Sequence, residues 1–153
     1  RFMEAGNQYF YKGLFEESIG QYRKALELVE NDAYLHYNMA NGYYKGGLTE
    51  RAVEEHLKAI GIRPRLLPAR NNLALIYYEQ GKYGKAVEEW KRALRYDPQD
   101  IEVNYNLAQG YEKVDMDKAV TQWRKYLELA RDRPDEAVFA SKVKEHLEKL
   151  WED

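Results

Sequence analysis

The sequence predicts an all-α protein, built as a chain of four helical hairpins followed by a terminal capping helix. Three observations carry that prediction. The chain repeats itself at an offset of 34 residues, glycine interrupts the first three units and proline closes the second and third at fixed places, and small residues recur where two helices must approach. Tyr9, Tyr43, Tyr77 and Tyr111 form one column, and Gly13, Gly47 and Gly81 another, with Asp115 in its fourth place. Asn38, Asn72 and Asn106 form a third, Ala25, Ala59 and Ala93 a fourth, and Ser18, Ala52 and Ala86 a fifth. Chance does not place five columns in one register.

The elements follow in order. The first unit, residues 1–32, begins already inside a helix at Arg1, so a fragment is expected, with its outer face uncovered or covered by another chain. In the second unit, 33–66, helical periodicity runs without a breaker over 33–45, Gly46 and Gly47 interrupt it, and Thr49 is expected to cap a second helix running to about residue 62. Pro64 closes that unit, and Pro68 falls where the first turn of the next helix tolerates proline. The third unit, 67–100, repeats the pattern with Gly81 and Pro98, and Asp100 is placed to cap the helix that follows. In the fourth, 101–131, Ala119 comes one residue early, which predicts a turn over 114–117 shortened by one. Tyr126 also fills the slot held elsewhere by alanine, so the next helix should not dock as a regular repeat would. A capping helix is predicted over 135–151, with Phe139, Val143, Leu147, Leu150 and Trp151 on one face and charged residues on the other.

Composition excludes several functions. Lys plus Arg number 24 against 26 Asp plus Glu, a net charge of −2, which argues against gripping nucleic acid or an anionic membrane surface. With no cysteine there is no disulfide framework, thiolate metal site or thiol nucleophile. No apolar run reaches the ~18 residues of a membrane span and no leader pattern opens the chain; the compartment stays open, with a cytoplasmic setting only as the working expectation. The 14 tyrosines, about three times ordinary usage, demand an explanation.

The repeat resembles the tetratricopeptide repeat, whose 34-residue signature is W-x2-L-G-x2-Y, then A-x3-F, A and P. The third unit carries it as Leu73, Ala74, Tyr77, Gly81, Ala86, Trp90, Ala93 and Pro98, and the second as Met39, Ala40, Tyr43, Gly47, Ala52, His56, Ala59 and Pro64. The first reads Ala5, Gly6, Tyr9, Gly13, Ser18, Tyr22 and Ala25, with Glu30 in place of proline. The resemblance implies a right-handed α-solenoid whose first helices line a concave groove, and a non-enzymatic scaffold that binds a peptide segment of a partner protein there.

Helical phase assigns residues to that face. They are Met3, Asn7, Phe10 and Tyr11, then Tyr34, Tyr37, Asn38, Asn41, Tyr44 and Lys45. The third unit adds Pro68, Asn71, Asn72, Leu75, Tyr78 and Glu79, and the fourth Glu102, Tyr105, Asn106, Gln109, Glu112 and Lys113. Amides offer donor and acceptor together, so an Asn38, Asn72 and Asn106 ladder suits a peptide backbone of any sequence, and tyrosine adds rigid contact area with a polar tip. On this reading six tyrosines serve the groove: Tyr11, Tyr34, Tyr37, Tyr44, Tyr78 and Tyr105. The other eight hold hairpins together: Tyr9, Tyr22, Tyr43, Tyr77, Tyr83, Tyr96, Tyr111 and Tyr126.

No catalytic constellation or cofactor site is expected. His36, His56 and His146 have no metal-ligand spacing, and His56 sits in the aromatic column of Tyr22, Trp90 and Trp123, as a packed core residue would. The stretch from Gly81 to Lys85 lacks phosphate-loop spacing. The pairs Glu16 and Glu17, Glu54 and Glu55, and Glu88 and Glu89 read as a solvated outer face. Arg63, Arg65 and Arg70 read as a solvated loop, with an acidic segment as the other reading.

The same resemblance argues against chaperone C-terminal tails as the ligand. Modules that hold such a tail use two asparagines and three cations. Here Asn7 and Asn38 match the asparagines, but Met3, Pro68 and Asn72 stand at the cationic places; one unit later, Asn41 and Asn72 match, against Tyr37, Glu102 and Asn106. Two rival functions are self-assembly into a homo-oligomer through the uncapped first repeat, and a regulatory or targeting module of a larger enzyme.

Overall fold

The computed structural model describes residues 1–150; Trp151, assigned above to the capping helix, lies outside the described residues. These are helical, with α1 (Phe2–Tyr11), α2 (Phe15–Leu28), α3 (Ala33–Lys45), α4 (Thr49–Ile62), α5 (Leu67–Glu79), α6 (Tyr83–Tyr96), α7 (Ile101–Glu112), α8 (Met116–Ala130), a 3-10 turn at Pro134–Glu136, and α9 (Ala137–Leu150). Among the described residues there is no strand. The chain divides into two compact units, one from Arg1 to Ile76 and the other from Tyr77 onward, the boundary falling inside α5.

The tyrosine and glycine columns are two halves of one turn. At the ends of α1, α3 and α5 the carbonyls of Tyr9, Tyr43 and Tyr77 accept from the backbone N–H groups of Leu14, Leu48 and Lys82 at 3.0, 2.8 and 2.8 Å. Between them Gly13, Gly47 and Gly81 take φ of +75°, +81° and +73°. That is the left-handed helix terminus, in which glycine avoids the Cβ penalty while the last carbonyls find donors. The turn fixes the start of the next helix without help. Leu48 therefore takes the N-cap position with no side-chain cap, and Thr49 is the first helical residue rather than the cap expected of it.

The fourth hairpin solves the same problem differently. The connection after α7 keeps three residues, as the others do, so the missing residue comes from the end of α7 and not from the turn as expected. No positive φ occurs there. Asp115 closes the turn with its side chain, accepting from the Lys118 N–H at 3.2 Å, and its own N–H donates to the Tyr111 carbonyl at 2.7 Å. Asp100 caps α7 as predicted, accepting from the Val103 N–H at 2.9 Å.

In the first unit α1 packs on α2, α2 on α3 and α3 on α4. Ile19, Tyr22, Leu35, Met39, Tyr43 and Ile76 share one buried cluster. Close approach is built in: a Cβ at Gly6 would strike the Tyr22 ring, and Ser18 Oγ donates to the Gly6 carbonyl at 2.8 Å. His56 is fully buried, as its column requires, with neither ring nitrogen hydrogen-bonded. Burial alone lowers its pKa to about 4.

Two surface readings are corrected. Glu55 and Glu89 are buried, whereas Glu54 and Glu88 are exposed, so only half of each of these pairs is a solvated face. Glu55 lies 2.6 Å from both His36 Nδ1 and Lys58 Nζ. Burial pushes its carboxyl up, but these two neighbours outweigh that and hold it below the usual range. Arg70 is also buried and not in a solvated loop, its Nε donating to the Pro64 carbonyl at 2.9 Å.

In the second unit α6 packs on α7, α7 on α8 and α8 on α9. Tyr126, Trp123, Val143 and Leu147 form its terminal cluster. The Tyr126 hydroxyl donates to Glu136 at 2.7 Å, and burial, followed by that carboxylate, raises its pKa. Tyr96, read as a packing residue, is 42% exposed. Phe139 keeps its place on the apolar face of α9, its ring edge-on to Tyr105 at 6.3 Å, although it is 52% exposed.

Candidate functional site

In the first unit the inner edges of α1 and α3 leave a cleft of about 180 Å³, lined by Asn7, Phe10 and Tyr11 from α1, Tyr22 from α2, and Tyr37, Asn38 and Asn41 from α3. None of these side chains is charged. The Tyr22 hydroxyl donates to Asn7 Oδ1 at 2.6 Å, which orients that amide from below, and burial raises the Tyr22 pKa, so it stays a neutral donor. Asn72 Nδ2 donates to Asn41 Oδ1 at 2.9 Å. The Tyr37 ring packs 5.9 Å from His56, while Tyr11 is 87% exposed at the rim, edge-on to Phe10.

The cleft thus brings together Asn7, Tyr11, Tyr37, Asn38 and Asn41, with Asn72 joined through its hydrogen bond. Other residues assigned to the same face sit elsewhere. Tyr34 lies under the Arg63 guanidinium, 4.9 Å from its ring centre, and accepts from Arg63 at 2.8 Å. Tyr44 packs on the buried cluster, Asn71 is buried, and Leu75 is half-buried.

The second unit has its own cleft, about 240 Å³, lined by Tyr105, Gln109 and Glu112 of α7, Trp123 of α8, and Lys142, Val143 and His146 of α9. Here charge replaces amide. Glu112 Oε1 accepts from Trp123 Nε1 at 2.6 Å and lies 2.6 Å from His146 Nε2. Tyr105 is a packing hub, its ring 4.9 Å from Trp123 and 5.2 Å from Tyr126. Burial first, then the Glu112 and Glu136 carboxylates, raises its pKa. Tyr78 stacks edge-on against Tyr83 at 5.1 Å, and Asn106 is 8% exposed. Among the described residues no group of three or more His, Cys, Asp or Glu side chains is arranged to hold a metal.

Two participants escaped the sequence reading. Tyr22 counts as a packing residue by its column, yet its hydroxyl reaches the amide line. The Glu112 to His146 contact joins α7 to a helix outside the repeat register. An available signal for it was Glu112 itself, a carboxylate where Phe10, Tyr44 and Tyr78 stand in the other units.

The family described as TPR repeat matches residues 6–47 and 74–115, more than half of the chain. No curated protein sequence matches significantly. Among solved structures the chain is similar to MamA, with a TM-score of 0.80 at 23% identity, covering 88% of this chain and 79% of that one. It is similar to YrrB, described as a TPR protein with an unusual peptide-binding site, with a TM-score of 0.77 at 21% identity, covering 94% and 73%. It also resembles the first TPR of Spaghetti (RPAP3) bound to the HSP90 peptide SRMEEVD, with a TM-score of 0.68 at 22% identity, covering 72% and 90%. These identities speak to the fold, and the family match adds membership: the chain belongs to the tetratricopeptide (TPR) repeat family.

Proposed function

We propose that this protein is a non-enzymatic interaction scaffold that holds a peptide segment of a partner protein against the first helices of its repeats. The observation that carries the reading is the cleft between α1 and α3, where three asparagines and two tyrosines assigned to one face line the same uncharged space. An amide row without charge favours backbone recognition of a neutral segment, with an aromatic or aliphatic side chain entering beside Tyr37. The peptide-bound state of the RPAP3 neighbour and the peptide-binding site of YrrB support the class of function. An acidic chaperone tail remains a poor ligand, since Met3, Pro68 and Asn72 offer no cation to a terminal carboxylate.

The test is selection of binders from a random peptide library on the purified chain, followed by titration of the best binder against Asn38→Ala/Asn41→Ala. About a tenfold loss of affinity with unchanged helicity is expected. Retention of full affinity by that variant would remove the cleft from the proposal.

Self-association through the first repeat is a second reading, favoured by apolar exposure at the two ends of α2, Leu14 before it at 41% and Leu28 at 72%. Sedimentation over a wide concentration range separates it, because a strict monomer rules it out.

A further inference from the structure

We infer a second docking site in the Tyr77-onward unit, a groove between α8 and α9 that takes an acidic amphipathic helix of a partner protein. It is a cleft of about 860 Å³. Its shape comes from sequence spacing. Arg124, Leu127 and Glu128 on α8, with Arg131 at its C-cap, fall at i, i+3, i+4 and i+7, and Ala137, Ala140, Ser141 and Lys144 repeat that spacing on α9. Each helix therefore turns one stripe, two turns long, toward the same trough.

A trough of two parallel stripes is what a third helix packs into, reading anchors at matching intervals. Ala137, Ala140 and Ser141 keep the α9 wall low enough for a helix backbone to approach, and Leu127 supplies an apolar floor.

Charge chooses the occupant. Four cationic side chains line the groove, Arg124, Arg131, Arg133 and Lys144, against the carboxylates of Glu128 and Asp132. Arg131, Arg133 and Lys144 are exposed, and none of them makes an ion pair among the described residues. The chain as a whole carries a net charge of −2, so this excess is local. An anionic helix gains on approach, and a cationic one is repelled. The site differs in residues and in charge from the uncharged cleft between α1 and α3, and it stands whether or not that cleft binds peptide.

The experiment titrates the full chain with a fluorescent synthetic helical peptide bearing Leu and Ala at i, i+3, i+4 and i+7 and Glu on its flanks. Its Glu→Lys counterpart and poly-glutamate of equal length serve as controls. The expected result is binding by the acidic peptide alone, weakened by added salt and by about tenfold in Arg131→Glu/Lys144→Glu. Ala137→Trp, which fills the trough without altering charge, should abolish it, and circular dichroism verifies that both variants fold. Asn38→Ala should bind the helix as the parent does. The inference is overturned by equal binding of the Lys peptide or of poly-glutamate, by no binding, or by affinity unchanged in both folded groove variants. Concentration-dependent self-association abolished by Ala137→Trp would overturn it too, since it would give the groove to a second copy.

Discussion

Asn72 donates from Nδ2 to Oδ1 of Asn41 at 2.9 Å, linking α5 to α3 through two side-chain amides on the inner edge of the first unit. Asn41 thus reaches the cleft with one lone-pair direction already used and its amide plane set by a neighbour. Asn72→Ala should release that amide and weaken a cleft-bound peptide by about threefold, a cost of roughly 0.6 kcal/mol, with melting nearly unchanged. Asn106→Ala should behave otherwise. That residue is 8% exposed, and its loss is expected to lower stability by about 1–2 kcal/mol, read from urea denaturation.

His56 gives the first unit an acid limit. Its pKa falls from 6.5 to about 4 on folding, so below pH 6.5 the unfolded chain binds a proton that the folded chain refuses. Stability is complete above pH 6.5 and declines as pH falls toward about 4, by roughly 3 kcal/mol over that window. Urea denaturation of the parent and of His56→Phe at pH 7.5 and pH 5 measures it. The variant should lose most of the slope, and identical slopes would assign the effect to other groups.

The four turns should fail in different ways. Gly81→Ala places a Cβ at φ +73° and is expected to cost about 1–2 kcal/mol, whereas Gly81→Asn should cost less because asparagine tolerates that conformation. Asp115→Ala removes a side-chain cap and should cost about 1 kcal/mol, with no backbone strain. Thermal melts of the three variants separate the two mechanisms.

Glu112 anchors the terminal helix. Its Oε1 receives the Trp123 indole N–H and lies against His146, so Glu112→Ala leaves a largely buried indole N–H without its acceptor. Amide exchange in α9 should accelerate by about tenfold or more, while that in α1 to α4 stays as in the parent.

The columns made the helices legible because a 34-residue period constrains packing and turn chemistry together, and the ends of Ala33–Lys45 and Thr49–Ile62 could be set from glycine and proline. Side-chain fate was less legible wherever two neighbours in sequence take opposite environments. Glu54 and Glu55 look alike in the sequence, but a 100° step around α4 puts the second against His36. Asn104 shows the same limit. It is fully buried and donates to the Pro98 and Asp100 carbonyls at 3.1 and 2.7 Å, a structural use of an amide that composition does not separate from a binding one. The α8 and α9 groove depends on where α9 comes to rest after Tyr126, and no column describes that helix.

The change from glycine to aspartate at the fourth turn alters what the chain can tolerate there. At Gly13, Gly47 and Gly81 the geometry resides in the main chain, so the position is nearly closed to substitution while its neighbours drift freely. At Asp115 the geometry resides in a carboxylate that serine, threonine or asparagine can replace. A saturation scan should therefore find three rigid punctuation marks and one editable one, with the editable mark standing just before the hairpin that carries the groove.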